Sequence, residues 1–313
     1  MMVACDGCRT IAHAQRVNKW IGAALLLVML LGTACGAGNS RRAQASSGSS
    51  GRAIQNKGSD TLVNLALAWA ERYRVLYPDI SIAVTGGGSG TGIAALINNT
   101  VDIANASRQM KEEEIAAAEA NGITPIEYTV AIDALAIIVN PANPISQLTI
   151  DQLADIYTGR VTNWKELGGN DEPIVLLSRE TNSGTHVYFL EEVVRKGDSD
   201  NKDIFAPQTL LMPSSVGITS ELRRNPNAIG YDGFGYVDPA HEKLVAIAVD
   251  ADSPYIVPSV ETGADGSYPI SRGLFMYTAG EPTGAIRDYL DWILGPEGQT
   301  IVAALGFVPL PKE

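Results

Sequence analysis

The chain has 313 residues, 45% of them hydrophobic and 19% charged, with a formal net charge of −12. Length points to about two domains with a large core, and charge at this level, spread along the chain, excludes wholesale disorder. So acidic a chain disfavours a broad basic face for nucleic acid, but not a small anion, which needs only local donors.

The first 34 residues read as a processing signal. Arg9, Arg16 and Lys19 precede the apolar run IGAALLLVMLL at 21–31, which is about half the length that spans a bilayer as a helix. The run ends in LGTAC, with small residues before Cys35. This resembles a bacterial lipoprotein cleavage box, with Leu31 one place early and Gly32 where the leucine is expected. Ordinary signal-peptidase cleavage, leaving a free thiol, is the alternative. Cys5 and Cys8 have CxxC spacing but lie upstream of the cut. The long stretch before the apolar run leaves open a start codon further in. After cleavage Cys35 is the only cysteine, so no disulfide forms within one chain, and lipid attachment is its expected use. Cleavage removes three basic residues and the acid Asp6, leaving the mature chain more acidic. Residues 35–52 form a Gly/Ser-rich tether, and the globular part begins near Ala53.

From there, helical and strand patterns alternate. Leu62, Leu65, Ala66, Trp69, Tyr73 and Leu76 share one helical face, and Pro78 stops that helix. ISIAVT (80–85) reads as a strand, followed by a glycine-rich turn and a helix carrying Ile93, Leu96 and Ile97. VDIANA is a short strand, KEEEIAAAEANG a helix closed by Gly122, and 124–131 and 134–140 are two strand-like runs. TIDQLADIYTG is a helix ending at Gly159, IVLLS a strand, SGTHVYFLEEVVRKG a helix and LVAIAV a strand. YPISRGLFMYT is a strand and 284–304 is helical. This alternation predicts an α/β protein with largely parallel sheets. The C-terminal helices have no sheet of their own and are expected to return to the first lobe. That gives lobe 1 as 53–133 with 256–313, lobe 2 as 134–255, and hinge crossings near 132–136 and 249–257.

Three stretches share a strand, a turn of Gly, Ser and Thr, and a helix start: NKGSDTLVNL (56–65), TGGGSGTGI (85–93) and SRETNSGTHVYF (178–189). A helix N-terminus offers free amides and a positive dipole end, and glycine lets a ligand approach the backbone closely. Each turn alone reads most simply as an N-cap; three together, one with Arg179 four residues before Ser183, point to an oxyanion site. GxxxxGK[ST] and GxGxxG are both absent from these turns, so nucleotide binding is unsupported. No His/Cys/Asp cluster has metal-ligand spacing, and neither metal nor cofactor is expected. His186 lies three residues after Ser183 and does not by itself make an oriented triad.

With GSDTL, GGGSGTGI, DIANASR, IDALAIIVNPANP, LTIDQLADIYTGRVTNWKELGG, SRETNSGTH and AIGYDGFGYVD, the chain from 54 to 313 resembles the periplasmic phosphate-binding proteins that feed phosphate ABC importers. The resemblance implies the type 2 periplasmic-binding fold, two α/β lobes closing on dehydrated phosphate. It implies contacts from Thr61 and the Leu62 amide with Ser59 assisting, from Ser89, Gly90 and Thr91, and from Arg179, Ser183, Gly184 and Thr185. The implied protein is a monomer, lipid-anchored outside the cytoplasm through Cys35, that delivers phosphate to an ABC permease and performs no chemistry. One position departs from the best-described branch: Arg108 stands where an Asp accepts the proton of hydrogen phosphate. Arg108 then either adds charge to the anion or points away. The acceptor that excludes sulfate becomes Asp60 first, unless Asp60 is only an N-cap, and Glu180 second. Two alternatives remain: a binder of molybdate, tungstate or sulfate, and an exported hydrolase using Ser183 or Ser89.

Overall fold

A computed structural model describes residues 53–311. The signal, Cys5, Cys8, Cys35 and the tether lie outside the described residues. Among the described residues, no helix is long and apolar enough to cross a membrane.

In chain order the elements are β1 (Ile54–Gly58), α1 (Asp60–Leu76), β2 (Ile82–Thr85), α2 (Ser89–Ile97), β3 (Ile103–Ala106), α3 (Glu112–Ala120), β4 (Pro125–Val139), β5 (Gln147–Thr149), α4 (Ile150–Thr158), β6 (Val175–Arg179), α5 (Gly184–Tyr188), β7 (Leu210–Met212), α6 (Ser215–Arg224), β8 (Ala228–Gly233), β9 (Lys243–Ala248), α7 (Val260–Ala264), β10 (Ser271–Ala279), α8 (Ala285–Leu294) and α9 (Pro296–Ala304). The strand order β2-β1-β3-β10-β4-β8-β6-β7 is continuous, with β9 on β4 and β5 on β9.

The sheet keeps the expected parallel pairing within each half and is mixed where the halves join. Every antiparallel pairing among the described strands involves β4 or β10. The outer pairs, β1 with β2 and β3, and β6 with β7 and β8, are parallel, as crossover helices require. β4 replaces the two expected strand runs with one 15-residue strand. Ile132 stays paired to Gly273 and Ala134 to Ser271, so no loop interrupts it.

The core gathers on either side of this crossing. On one side α1 packs Leu62, Leu65, Trp69 and Tyr73 with Val130, Leu274, Tyr289, Leu290 and Val302. The Trp69 indole donates to Gly298 O at 2.9 Å. The C-terminal helices α8 and α9 thus pack in one core with α1. On the other side Leu135, Ile137 and Val139 pack with Tyr157, Trp164, Phe189, Tyr231 and Ile247. Ile256 bridges back to Ile247, and Tyr268 and Ile270 pack in the second core.

Two helices differ from the sequence reading. The helix begun at Gly184 turns into a π-helical segment at Phe189–Val194. The C-terminal helix breaks at Gly295, where Pro296 opens α9, because proline takes the first turn of a helix but not its interior.

Candidate functional site

The three turns picked out by the sequence meet. β1 ends at Gly58, where an added Cβ would meet the Asn105 backbone within 3.0 Å, and α1 starts two residues on. Ser59 is at the N-cap, with no side-chain cap bond. Thr61, on the first turn of α1, faces Thr185 on the first turn of α5, with Oγ1 to Oγ1 at 3.0 Å. Gly184 brings α5 so close to α2 that a Cβ there would lie 2.7 Å from Ser107 Oγ and against Ser89 Oγ. Ser89, Ser107 and Thr185 are fully buried, and Thr61, Arg179 and Ser183 nearly so.

These hydroxyls have fixed partners that govern their protons. The Ser107 amide donates to Ser89 Oγ at 3.0 Å, and Ser89 Oγ lies 3.3 Å from Ser107 Oγ. The Thr185 amide donates to Ser183 Oγ at 3.2 Å. Each oxygen already accepts from a group that can only donate, so its own proton is available to another acceptor. Donors of this kind, kept from water at two lobes' helix starts, suit a tetrahedral anion.

Arg179 ends β6 and crosses to the other lobe. Its Nη2 donates to Asp60 Oδ2 at 2.7 Å and its Nη1 to Ser215 Oγ at 3.1 Å. Ser215 passes a bond to Asp232 Oδ1 at 2.9 Å. Burial raises the Asp232 carboxyl to about 6, against the pull of Arg179 and its hydrogen bonds. Asp60 also accepts from the Gly87 amide at 3.0 Å, and Tyr236 Oη reaches its carbonyl at 2.6 Å. Asp60 is thus the carboxylate among the expected site residues, while Glu180 is exposed.

The glycine turn is gripped from across the cleft. Asn182 donates to Gly87 O at 2.9 Å and accepts from the Gly90 amide at 3.0 Å. Gly88 has φ 86°, and a Cβ there would meet Asn182 O at 2.8 Å. The Gly90 amide is therefore spent on the opposing lobe. The Thr91 hydroxyl turns back to Gly87 O, and the Leu62 amide bonds Ser59 O.

Arg108 forms an ion pair with Glu114. Its Nη1 bonds Glu114 Oε2 at 2.7 Å and Gln109 O at 2.8 Å, and its Nη2 bonds Glu114 Oε1 at 2.6 Å. This fork closes the start of α3, where Glu114 also accepts from the Lys111 amide. Burial alone would raise the Glu114 carboxyl, but the bonds and charges of Arg108 and Lys111 hold it below its ordinary value.

His186 Nδ1 pairs with Ser178 Oγ at 3.0 Å, not with Ser183, and burial lowers its affinity for a proton. Among the described residues, no group of three His, Cys, Asp or Glu is placed to hold a metal ion.

Sequence reading missed Ser107, Asn182, Asp133, Arg272, Ser215 and Asp232. Asp133 and Arg272 each stand alone in an apolar run, IDALAII and ISRGLFMY. A charge in a buried strand calls for a partner, and that signal was available.

Comparison with known proteins bears on this arrangement. The PBP superfamily domain matches residues 43–297. The phosphate-binding protein PstS of Pseudomonas aeruginosa is 35% identical over 287 residues, covering 86% of each chain. PstS of Bacillus subtilis is 31% identical over 288 residues, covering 90% of each. A Clostridium perfringens protein named as a phosphate ABC transporter substrate-binding protein, solved with bound phosphate, has TM-score 0.74 at 34% identity, covering 83% of this chain and all of that one. A Vibrio cholerae ABC-type phosphate transport receptor has TM-score 0.65 at 30% identity, covering 82% and 100%. The chain belongs to the phosphate ABC transporter substrate-binding proteins, a family of binding proteins and not of enzymes.

Proposed function

We propose that this family member captures inorganic phosphate between its two lobes, outside the cytoplasm, and delivers it to an ABC permease. The observation that carries this reading is the meeting of buried donors from both lobes: Thr61 and Ser89 on one side, Arg179, Ser183 and Thr185 on the other. An anion that takes donors from both lobes at once would favour the conformation in which those donors meet. Lobe boundaries follow the core packing, with the hinge at β4 and the start of β10. Lipid attachment at Cys35 would keep the protein at the outer face of the membrane, and a monomer would suffice for transport.

Asp60 is the acceptor in this reading. Hydrogen phosphate carries a proton and needs one acceptor in the site, whereas sulfate brings none and would face an unpaired carboxylate. Arg108 contributes no charge to the anion and serves α3. Binding of molybdate, tungstate or sulfate is the second reading, and Asp60 beside the donors counts against it.

The test is thermal unfolding of the purified chain, stripped of bound ligand, with each anion at millimolar concentration. A ligand at about 1,000 times its Kd stabilises by about 4 kcal/mol. Phosphate alone should raise Tm by several degrees. An equal rise with sulfate would remove Asp60 from its role, and no rise with any anion would refute the transport reading.

A further inference from the structure

Behind the converging hydroxyls lies a buried ion pair that the phosphate reading leaves without a task. Asp133 and Arg272 are partners in register across β4 and β10, where both strands pass between the lobes. Asp133 is fully buried and Arg272 nearly so. Such a pair is seldom a net source of stability, since desolvation offsets the attraction. Here Arg272 Nη1 makes no hydrogen bond at all. Burial raises the Asp133 carboxyl even with Arg272 beside it.

What the pair does reach is the site. Arg272 Nη2 donates to Asp133 Oδ2 at 3.0 Å and to Thr185 Oγ1 at 2.9 Å. Thr185 Oγ1 is in turn 3.0 Å from Thr61 Oγ1. The guanidinium lies over the Tyr188 ring, 5.3 Å from its centroid, and the Tyr188 hydroxyl bonds Ser271 O at 2.9 Å. One arginine on the crossing strand is therefore clamped by the strand beside it, by the helix of the opposing lobe, and by a site hydroxyl.

We propose that Arg272, held in place by Asp133, is a positioning residue for the anion, acting through Thr185. A guanidinium can only donate. By occupying one lone pair of Thr185 Oγ1, it turns the Thr185 proton away from itself, toward Thr61 and the cleft. Thr185 then meets the ligand as a donor polarised by a positive charge, which strengthens its hydrogen bond. The same contact ties the crossing strand to the closed position of α5. This inference rests on the phosphate reading above.

The test is a cycle of calorimetric phosphate titrations on the full chain. The paired substitution Asp133→Leu with Arg272→Met replaces the ions by apolar groups, a change that buried pairs commonly tolerate. It is measured beside Thr185→Val and beside all three substitutions together. The paired form and Thr185→Val should each weaken phosphate roughly tenfold, the size of one hydrogen bond to a charged group. The combined form should bind no more weakly than the worse of the two. Thr185→Ser, which keeps the hydroxyl, should stay within about twofold of wild type. Losses that multiply in the combined form would mean that Arg272 acts independently of Thr185 and would overturn the proposal, as would a paired form with wild-type affinity. If the paired form does not fold, Asp133→Ile with Arg272→Leu, another apolar pair, goes through the same cycle under the same criterion. A wild type that gives no heat with phosphate is a separate result: it overturns the functional reading, and this inference with it.

Discussion

Gly184→Ala isolates closure from folding. Gly184 opens α5 and is packed against residues of the opposite lobe, not of its own. A methyl group there would lie 2.7 Å from Ser107 Oγ and 3.1 Å from Ser89 Cβ, where ordinary contact begins at 3.4 Å. Both serines are fully buried and joined to each other, so neither swings aside. The lobes must separate by the better part of an ångström. Interlobe hydrogen bonds of 3.0 Å, stretched by that amount, pass out of bonding range. Losing two such bonds to an anion costs about 3–6 kcal/mol, which is roughly a hundredfold to ten-thousandfold in Kd. Within its own lobe the change is harmless, because alanine favours a helix over glycine by about 1 kcal/mol. Calorimetry with phosphate should show the loss, and the Tm of the ligand-free chain should hold or rise. Affinity within threefold of wild type would refute the reasoning, as would a matching fall in the ligand-free Tm, which would place the clash inside one lobe.

Arg179→Met should weaken phosphate roughly a hundredfold or more, since it removes a charged donor and the positive partner of Asp60; titration calorimetry reads it. Asp60→Asn should weaken phosphate about tenfold and let sulfate bind, because the amide offers a donor where the carboxylate repelled; competition between the two anions measures the change. Arg108→Ala should leave phosphate affinity within about twofold while lowering Tm, because Glu114 loses its fork at the start of α3. Asp232→Asn tests the buried carboxyl. Its value of about 6 lies above that of an unfolded aspartate, so the folded state holds the proton more tightly. Wild-type stability should therefore fall as pH rises from about 4 to 6 and level off above, by about 3 kcal/mol from this group. The difference between wild type and Asp232→Asn in denaturant unfolding should trace that curve, and a flat difference would remove Asp232 as its source.

Local signals in the sequence translated into structure where the chemistry is local. Thr149 and Gln152 make the capping box of α4, and Gly159 ends it in the left-handed region at φ 78°. The three hydroxyl turns are likewise legible, because a turn of Gly, Ser and Thr between strand and helix is written in consecutive residues. What stayed hidden depends on pairing across long separations. Arg272 meets Asp133 from 139 residues away, and Arg179 meets Asp60 from 119. β4 reads as two strands because Asp133 interrupts an apolar run, yet Arg272 satisfies that acid and lets the strand continue. The π-helical segment after α5 has no sequence signal of its own; packing of Phe189 on Tyr231, with ring centroids 3.8 Å apart, accompanies it. Asn182 takes Gly87 and Gly90 of the facing glycine turn as partners, about 90 residues away in sequence, a contact that consecutive residues do not announce.

The most direct measurement is titration calorimetry of the ligand-stripped chain with phosphate at neutral pH, followed by sulfate, molybdate and tungstate. One phosphate per chain should bind tightly, with no heat from sulfate at the same concentrations. Sulfate binding as strongly as phosphate would contradict an acceptor at Asp60, and silence toward phosphate would contradict phosphate capture altogether.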